Sequence, residues 1–119
     1  MSDFRFPSRV QKLRERLAKD ELDAIFISNG ENRRYVSGFV SSAGYLLVTQ
    51  TDAVICTDFR YTEMAAQQAP GWRIDRIGGK PDWLAKLVNE FEIKTLGFEA
   101  DDMTVATLER FKKALKEND

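Results

Sequence analysis

The run Asp23-Ala24-Ile25-Phe26-Ile27-Ser28 constrains this chain most. Its side chains are apolar on both alternating faces, so the strand it forms has to be covered from both sides. The flanking sequence supplies the cover. Val10, Leu13 and Leu17 recur at i, i+3 and i+7, one buried helical stripe, and Ser8 with Gln11 three residues later predicts a capped helix start. After the turn at Asn29-Gly30, residues 32–39 form a short helix ended by Gly38, where a left-handed cap is needed. Residues 44–49 and 53–57 are two strands separated by Gln50-Thr51-Asp52, the spacing of an antiparallel hairpin.

Thr57 or Asp58 then caps a helix in which Tyr61, Met64, Ala65 and Ala69 share a face, and Pro70-Gly71 stops it. Residues 72–75 alternate as a half-exposed strand. Pro81 and Asp82 start the next helix, where Leu84, Leu87, Val88 and Phe91 match the i, i+3, i+4, i+7 template. Residues 95–99 are the last strand. The final helix places Val105, Leu108, Phe111 and Leu115 on one face, with Asp101 and Asp102 before its start and Lys112, Lys113 and Lys116 near its end, complementing the helix dipole. Alternating helices and strands with one hairpin imply a mixed sheet with helices on both faces.

The chain's 119 residues make one domain, able to bury roughly two-thirds of its unfolded surface. A net charge of -1 with interspersed signs gives no electrostatic footprint for nucleic acid or an anionic membrane. The apolar runs are too short for a transmembrane span or a signal-peptide core. One cysteine, Cys56, permits no internal disulfide and suits a reducing cytoplasm; its strand setting predicts an inert core thiol. With no histidine, Ser-His and Cys-His catalysis are excluded within the chain, as is a zinc site that requires imidazole.

Four stretches, in order along the chain, carry a family resemblance. They are Leu13-Arg14-Glu15-Arg16-Leu17 with the strand after it, Asn32-x-x-Tyr35-x-x-Gly38-Phe39, Thr57-Asp58-x-Arg60-Tyr61 before a helix, and Leu96-Gly97-Phe98-Glu99. Together they resemble the N-terminal domain of the creatinase/prolidase/Xaa-Pro aminopeptidase family. The resemblance implies a ribonuclease H-like topology, a three-layer α/β/α domain with a mixed five-stranded sheet over residues 1–119. It also implies a larger C-terminal domain of the pita-bread type, absent from this chain. That domain binds two divalent metal ions (manganese or cobalt), which activate a water to cleave the bond preceding a proline. Catalytic residues and metal ligands are therefore expected elsewhere, and this chain is expected to hold no cofactor.

Six residues are candidates for contact with substrate or partner. Asp58 and Arg60 suit a structural role, with Asp58 capping a helix and Arg60 pairing with an acid such as Glu63. A guanidinium there also suits bidentate recognition of a substrate carboxylate, and the resemblance supplies a substrate-holding arginine in this domain. Arg33 and Arg34 are adjacent cations on an expected loop, residues 29–35, at the end of a central strand, where open α/β sheets place ligand contacts. In dimeric relatives this loop reaches the mouth of the other subunit's active site. The resemblance thus makes Asn32, Arg33, Arg34 and Tyr35 entrance or dimer contacts.

Other constellations carry less. Asp23, Asp58 and Glu99 could hold two hard cations for phosphodiester cleavage, but Asp23 opens its strand while the others close theirs, and a basic groove is missing. Gly78-Gly79-Lys80 lacks the spacing of a phosphate loop and reads as a turn. Trp72 and Trp83 suit core packing or an interface.

The expected function is that of a non-catalytic N-terminal domain in a cytoplasmic prolidase-like Xaa-Pro dipeptidase or aminopeptidase. It shapes substrate access and dimer contacts for a two-metal hydrolase domain not present here. Its partners are then its own C-terminal domain, a second subunit and proline-containing peptides, with no nucleic acid and no membrane. The alternative is a stand-alone module on the same fold that binds a small carboxylate or a protein. A domain separated from an enzyme is expected to expose an apolar patch and to leave residues 32–39 disordered. The chain stops at Glu117-Asn118-Asp119, as expected either of a native end or of a cut at a domain boundary.

Overall fold

The apolar runs become neighbouring strands. In the computed structural model, which describes residues 5–39, 44–69, 71–78, 82–99 and 103–117, five strands form one sheet: β1 (Ala24–Ile27), β2 (Tyr45–Thr49), β3 (Ala53–Thr57), β4 (Arg73–Arg76) and β5 (Leu96–Phe98). The strand order is β4-β3-β2-β1-β5. Pairing is antiparallel for β1–β2 and β2–β3, and parallel for β1–β5 and β3–β4. Strands β1, β3, β4 and β5 therefore run one way and β2 the other. All four parallel strands deliver their carboxyl ends to the same edge.

Register then sorts the side chains. Ile27, Leu46, Ile55 and Ile74 stand in one row across the sheet, and Phe98, Phe26, Leu47 and Val54 in the neighbouring row. Adjacent rows point to opposite faces, because strand side chains alternate. Helices α1 (Arg5–Lys19), α2 (Gly30–Ser37) and α3 (Thr62–Gln68) cover the first face through Val10, Leu13, Val36, Ala65 and Ala69. Helices α4 (Asp82–Glu90) and α5 (Val105–Glu117) cover the second through Leu84, Leu87 and Phe111. The result is the mixed three-layer sandwich expected from the pattern. At the opposite edge the hairpin turn is tied to α1: Arg14 Nε donates to Thr49 O at 2.7 Å, and Gln50 Nε2 donates to Arg14 O at 2.8 Å.

Several local readings differ from the sequence. Helix α1 begins at Arg5, so Ser8 lies inside it and caps nothing; Pro7 is tolerated because first-turn N–H groups have no intrahelical partner. Helix α3 begins at Thr62 after Tyr61, which offers no side-chain cap, so neither Thr57 nor Asp58 is its cap. Met64 is 39% exposed and Val105 76% exposed, off the buried faces assigned to them. Periodicity shows which residues share a helix face, but not which turn overhangs the sheet. Pro70, Gly79, Lys80, Pro81, Asp101 and Asp102 lie outside the described residues, as does the side chain of Lys116.

Candidate functional site

The carboxyl edge collects five of the six candidate residues as exposed or part-exposed groups, and turns the sixth inward. Residues 30–37, expected partly as loop, form α2 directly after β1. Asn29 caps it, its Oδ1 accepting from Asn32 N–H at 3.1 Å, and Gly38 closes it at φ 85°, donating to Arg34 O at 2.8 Å. The two adjacent arginines therefore point to different places. Arg33 is only 5% exposed and folds back so that Nη1 donates to Ser28 O at 2.6 Å. Arg34 stays exposed. Tyr35 is 58% exposed, with the Arg9 guanidinium 3.9 Å over its ring and Arg9 Nη1 donating to its carbonyl at 2.7 Å.

Asp58 and Arg60 follow β3 on the same edge. Arg60 does not pair with Glu63; it grips Asp58, through Nε to Oδ1 at 3.1 Å and Nη2 to Oδ2 at 2.8 Å. The Arg60 N–H also donates to Asp58 Oδ1 at 2.9 Å, so the carboxylate closes a local turn instead of capping α3. The guanidinium holds the Asp58 carboxyl below its ordinary range, and Asp58 in turn raises Arg60. One strand, β2, separates the β1 and β3 ends, which puts the two clusters about 10 Å apart along the edge. Nearby, Arg76 at the end of β4 lies 5.5 Å from the ring of Phe59, which is 65% exposed.

Glu99, read from the sequence as a strand-end carboxylate, was not among the six candidate contacts, yet it belongs to this edge. It follows β5, next to β1, and reaches across to the start of α2. Its Oε1 accepts from the N–H groups of Ser28 at 2.6 Å and Asn29 at 2.7 Å, and its Oε2 accepts from Asn32 Nδ2. Its place at the end of the last strand was the available signal, and the pairing of β5 with β1 supplies the rest.

The carboxylates do not fit a metal site. Asp58 is committed to Arg60 and Glu99 to three N–H donors. Asp23 sits at the other edge, where the Lys94 and Thr95 N–H groups, 2.8 and 3.1 Å away, hold it below its ordinary range. Among the described residues no three His, Cys, Asp or Glu groups converge, and no helix is long and apolar enough to cross a membrane. Cys56 is fully buried, and desolvation pushes its thiol far up, as an inert core group requires.

The described residues also line cavities. One of about 240 Å³ lies beside the packed rings of Tyr45, Trp83 and Phe111, with Arg110 at its wall. Another, of about 460 Å³, lies at the amino edge and is lined by Asp23, Asp52, Glu90 and Glu92, among others.

Strand order, the helical cover and the Glu99-bound α2 define an α/β/α domain with a mixed five-stranded sheet and a polar carboxyl edge. Residues 9–119 match the Creatinase/Prolidase N-terminal domain, and the chain belongs to that family. It is 39% identical over 100 residues to an uncharacterized peptidase of Bacillus subtilis, covering 83% of this chain and 28% of that protein. Among solved structures it resembles the N-terminal domain of the cytoplasmic peptidase PepQ from Mycobacterium tuberculosis: TM-score 0.85, 40% identity, 92% of this chain and 85% of that one. It also resembles an Xaa-Pro dipeptidase from Bacillus anthracis: TM-score 0.86, 36% identity, 91% of this chain and 31% of that one. The chain thus spans less than a third of the longer relatives.

Proposed function

We propose that this chain is the non-catalytic N-terminal domain of a cytoplasmic, metal-dependent Xaa-Pro dipeptidase or aminopeptidase. Residues 1–119 shape the entrance to a catalytic domain lying outside these residues, and contribute to contacts between two subunits. That further domain holds two divalent ions, manganese or cobalt, and cleaves proline-containing peptides. The observation that carries this reading is the gathering of Asn32, Arg34, Tyr35, Asp58 and Arg60 at one sheet edge. Two of them are cations suited to a peptide carboxylate. Tyr35, Phe59 and Phe98, all substantially exposed, belong to elements that end at or follow the same edge, as expected of a surface meant to be covered.

Geometry favours this reading over a small-carboxylate module. The 240 Å³ cavity is below the roughly 300–1,000 Å³ of ordinary ligand pockets. The larger cavity is lined by carboxylates, which repel a carboxylate ligand. Residues 32–39 are ordered, contrary to the disorder expected of a separated domain, because Gly38 and Glu99 fix that segment within the chain itself.

The test is steady-state kinetics on the chain joined to its catalytic domain. Arg34→Ala and Arg60→Ala are expected to raise KM for Xaa-Pro dipeptides with kcat little changed, since they act on binding outside the reacting bond. Unchanged KM in both variants contradicts the entrance role.

A further inference from the structure

We propose that Glu99 is the positioning residue of the carboxyl edge, holding the segment that carries Asn32, Arg34 and Tyr35 in the orientation it presents. Three donors from three consecutive features of that segment converge on one carboxylate: the last peptide after β1 (Ser28), the helix cap (Asn29) and the first turn of α2 (Asn32). The contact spans about seventy residues of sequence, with separations of 71, 70 and 67, so it is tertiary and not a local turn. Asn29 is doubly used. Its N–H donates to Glu99 while its side chain caps α2, so a shift of Glu99 moves the cap and the helix together. A carboxylate is also the species that an α2 amino terminus favours, and Glu99 fills that position from inside the chain. Glu99 thus occupies the approach to the helix start, and exposed arginines on this edge, Arg34 and Arg60 among them, are better placed to meet a substrate carboxylate.

The chemistry predicts an unusual pattern of tolerance. Glu99→Gln keeps an oxygen for the two backbone donors, and its amide can face Asn32 if that side chain turns its oxygen inward. Glu99→Ala leaves all three donors without the carboxylate. Asn32→Asp sets two carboxylates against each other. Combining Glu99→Gln with Asn32→Asp restores an amide–carboxylate pair with the roles exchanged.

The experiment is amide hydrogen exchange on the 119-residue chain, read at Ser28 and Asn29, with Leu47 and Ile55 as core controls. Glu99→Ala and Asn32→Asp are expected to speed exchange at Ser28 and Asn29 by about tenfold or more relative to the controls, the usual consequence of losing a charged acceptor. Glu99→Gln, and Glu99→Gln with Asn32→Asp, are expected to stay near the parent. Equal acceleration at edge and core in Asn32→Asp, or no rescue in the double variant, overturns the proposal. Its consequence for turnover rests on the entrance role proposed above. In the chain joined to its catalytic domain, Glu99→Ala should raise KM for an Xaa-Pro dipeptide more than it lowers kcat. Faster exchange with unchanged KM would keep the positioning and reject the entrance role.

Discussion

Arg60 grips Asp58 across two residues of chain, with two nitrogens on two carboxylate oxygens at 3.1 and 2.8 Å. Both side chains remain reachable by water, at 59% and 28% exposure, so the pair opens at little cost when a competing carboxylate arrives. Asp58 then acts as a placeholder that keeps the guanidinium fork extended. Asp58→Asn is expected to leave the thermal midpoint nearly unchanged while weakening the grip on Arg60. In the protein with its catalytic domain the variant should lower KM for a peptide with a free carboxylate. An increased KM would show that the pair itself is what substrate needs.

The second core depends on one ring. Phe26 is 1% exposed and stacks on Tyr45 at 4.8 Å and 16°, while Phe111 meets it edge-on at 5.3 Å. Phe26→Ala should cost about 3–5 kcal/mol, a large share of the roughly 5–15 kcal/mol typical of a domain. Phe26→Leu should cost less, and Val105→Ser, at an exposed site, almost nothing. Urea unfolding followed through Trp83 fluorescence measures all three. Equal midpoints for Phe26→Ala and Val105→Ser would refute the assigned packing.

Much of this was legible in the residues. The element order follows from apolar periodicity, and the both-faces run at residues 23–28 already implied a sheet with two helical layers. Gly38 announced the end of α2. Arg33 and Arg34 looked equivalent in sequence, yet one is buried and the other exposed, because α2 turns 100° between neighbours. Glu99 was visible as a strand-end residue, but nothing local to it shows that β5 lies beside β1. That pairing is a long-range fact, and the site depends on it.

Gly44 should tolerate alanine poorly. Its φ is +138°, and an added Cβ would meet Phe39 Cε2 at 3.2 Å and Cys56 O at 3.3 Å. Gly44→Ala is expected to destabilise by about 1 kcal/mol or more, beyond the gain that alanine gives in the unfolded chain. A stabilised variant in a urea titration would contradict the backbone described at Gly44.

Acid sensitivity has a defined sign. Asp23, held by two backbone N–H groups, and Glu90, held by Arg73, lie below their ordinary values of 3.8 and 4.5 when folded, as Asp58 does below 3.8. Lowered folded values mean a contribution complete above the unfolded values and lost as pH falls through the folded ones. Stability should therefore be flat with respect to these groups above about pH 5 and fall below about pH 4. Asp23→Asn should flatten that fall in thermal melts from pH 2 to 6. An unchanged acid slope would remove Asp23 from the account.

The most direct measurement compares hydrolysis of an Xaa-Pro dipeptide, with manganese or cobalt added, by this chain alone and by the chain joined to its metal-binding domain. The joined protein is then tested again with residues 32, 34, 35 and 60 replaced by alanine. The account predicts no turnover by the chain alone, turnover by the joined protein, and a raised KM with kcat little changed in the replaced one. Turnover by the chain alone, or a KM that ignores all four replacements, would contradict it.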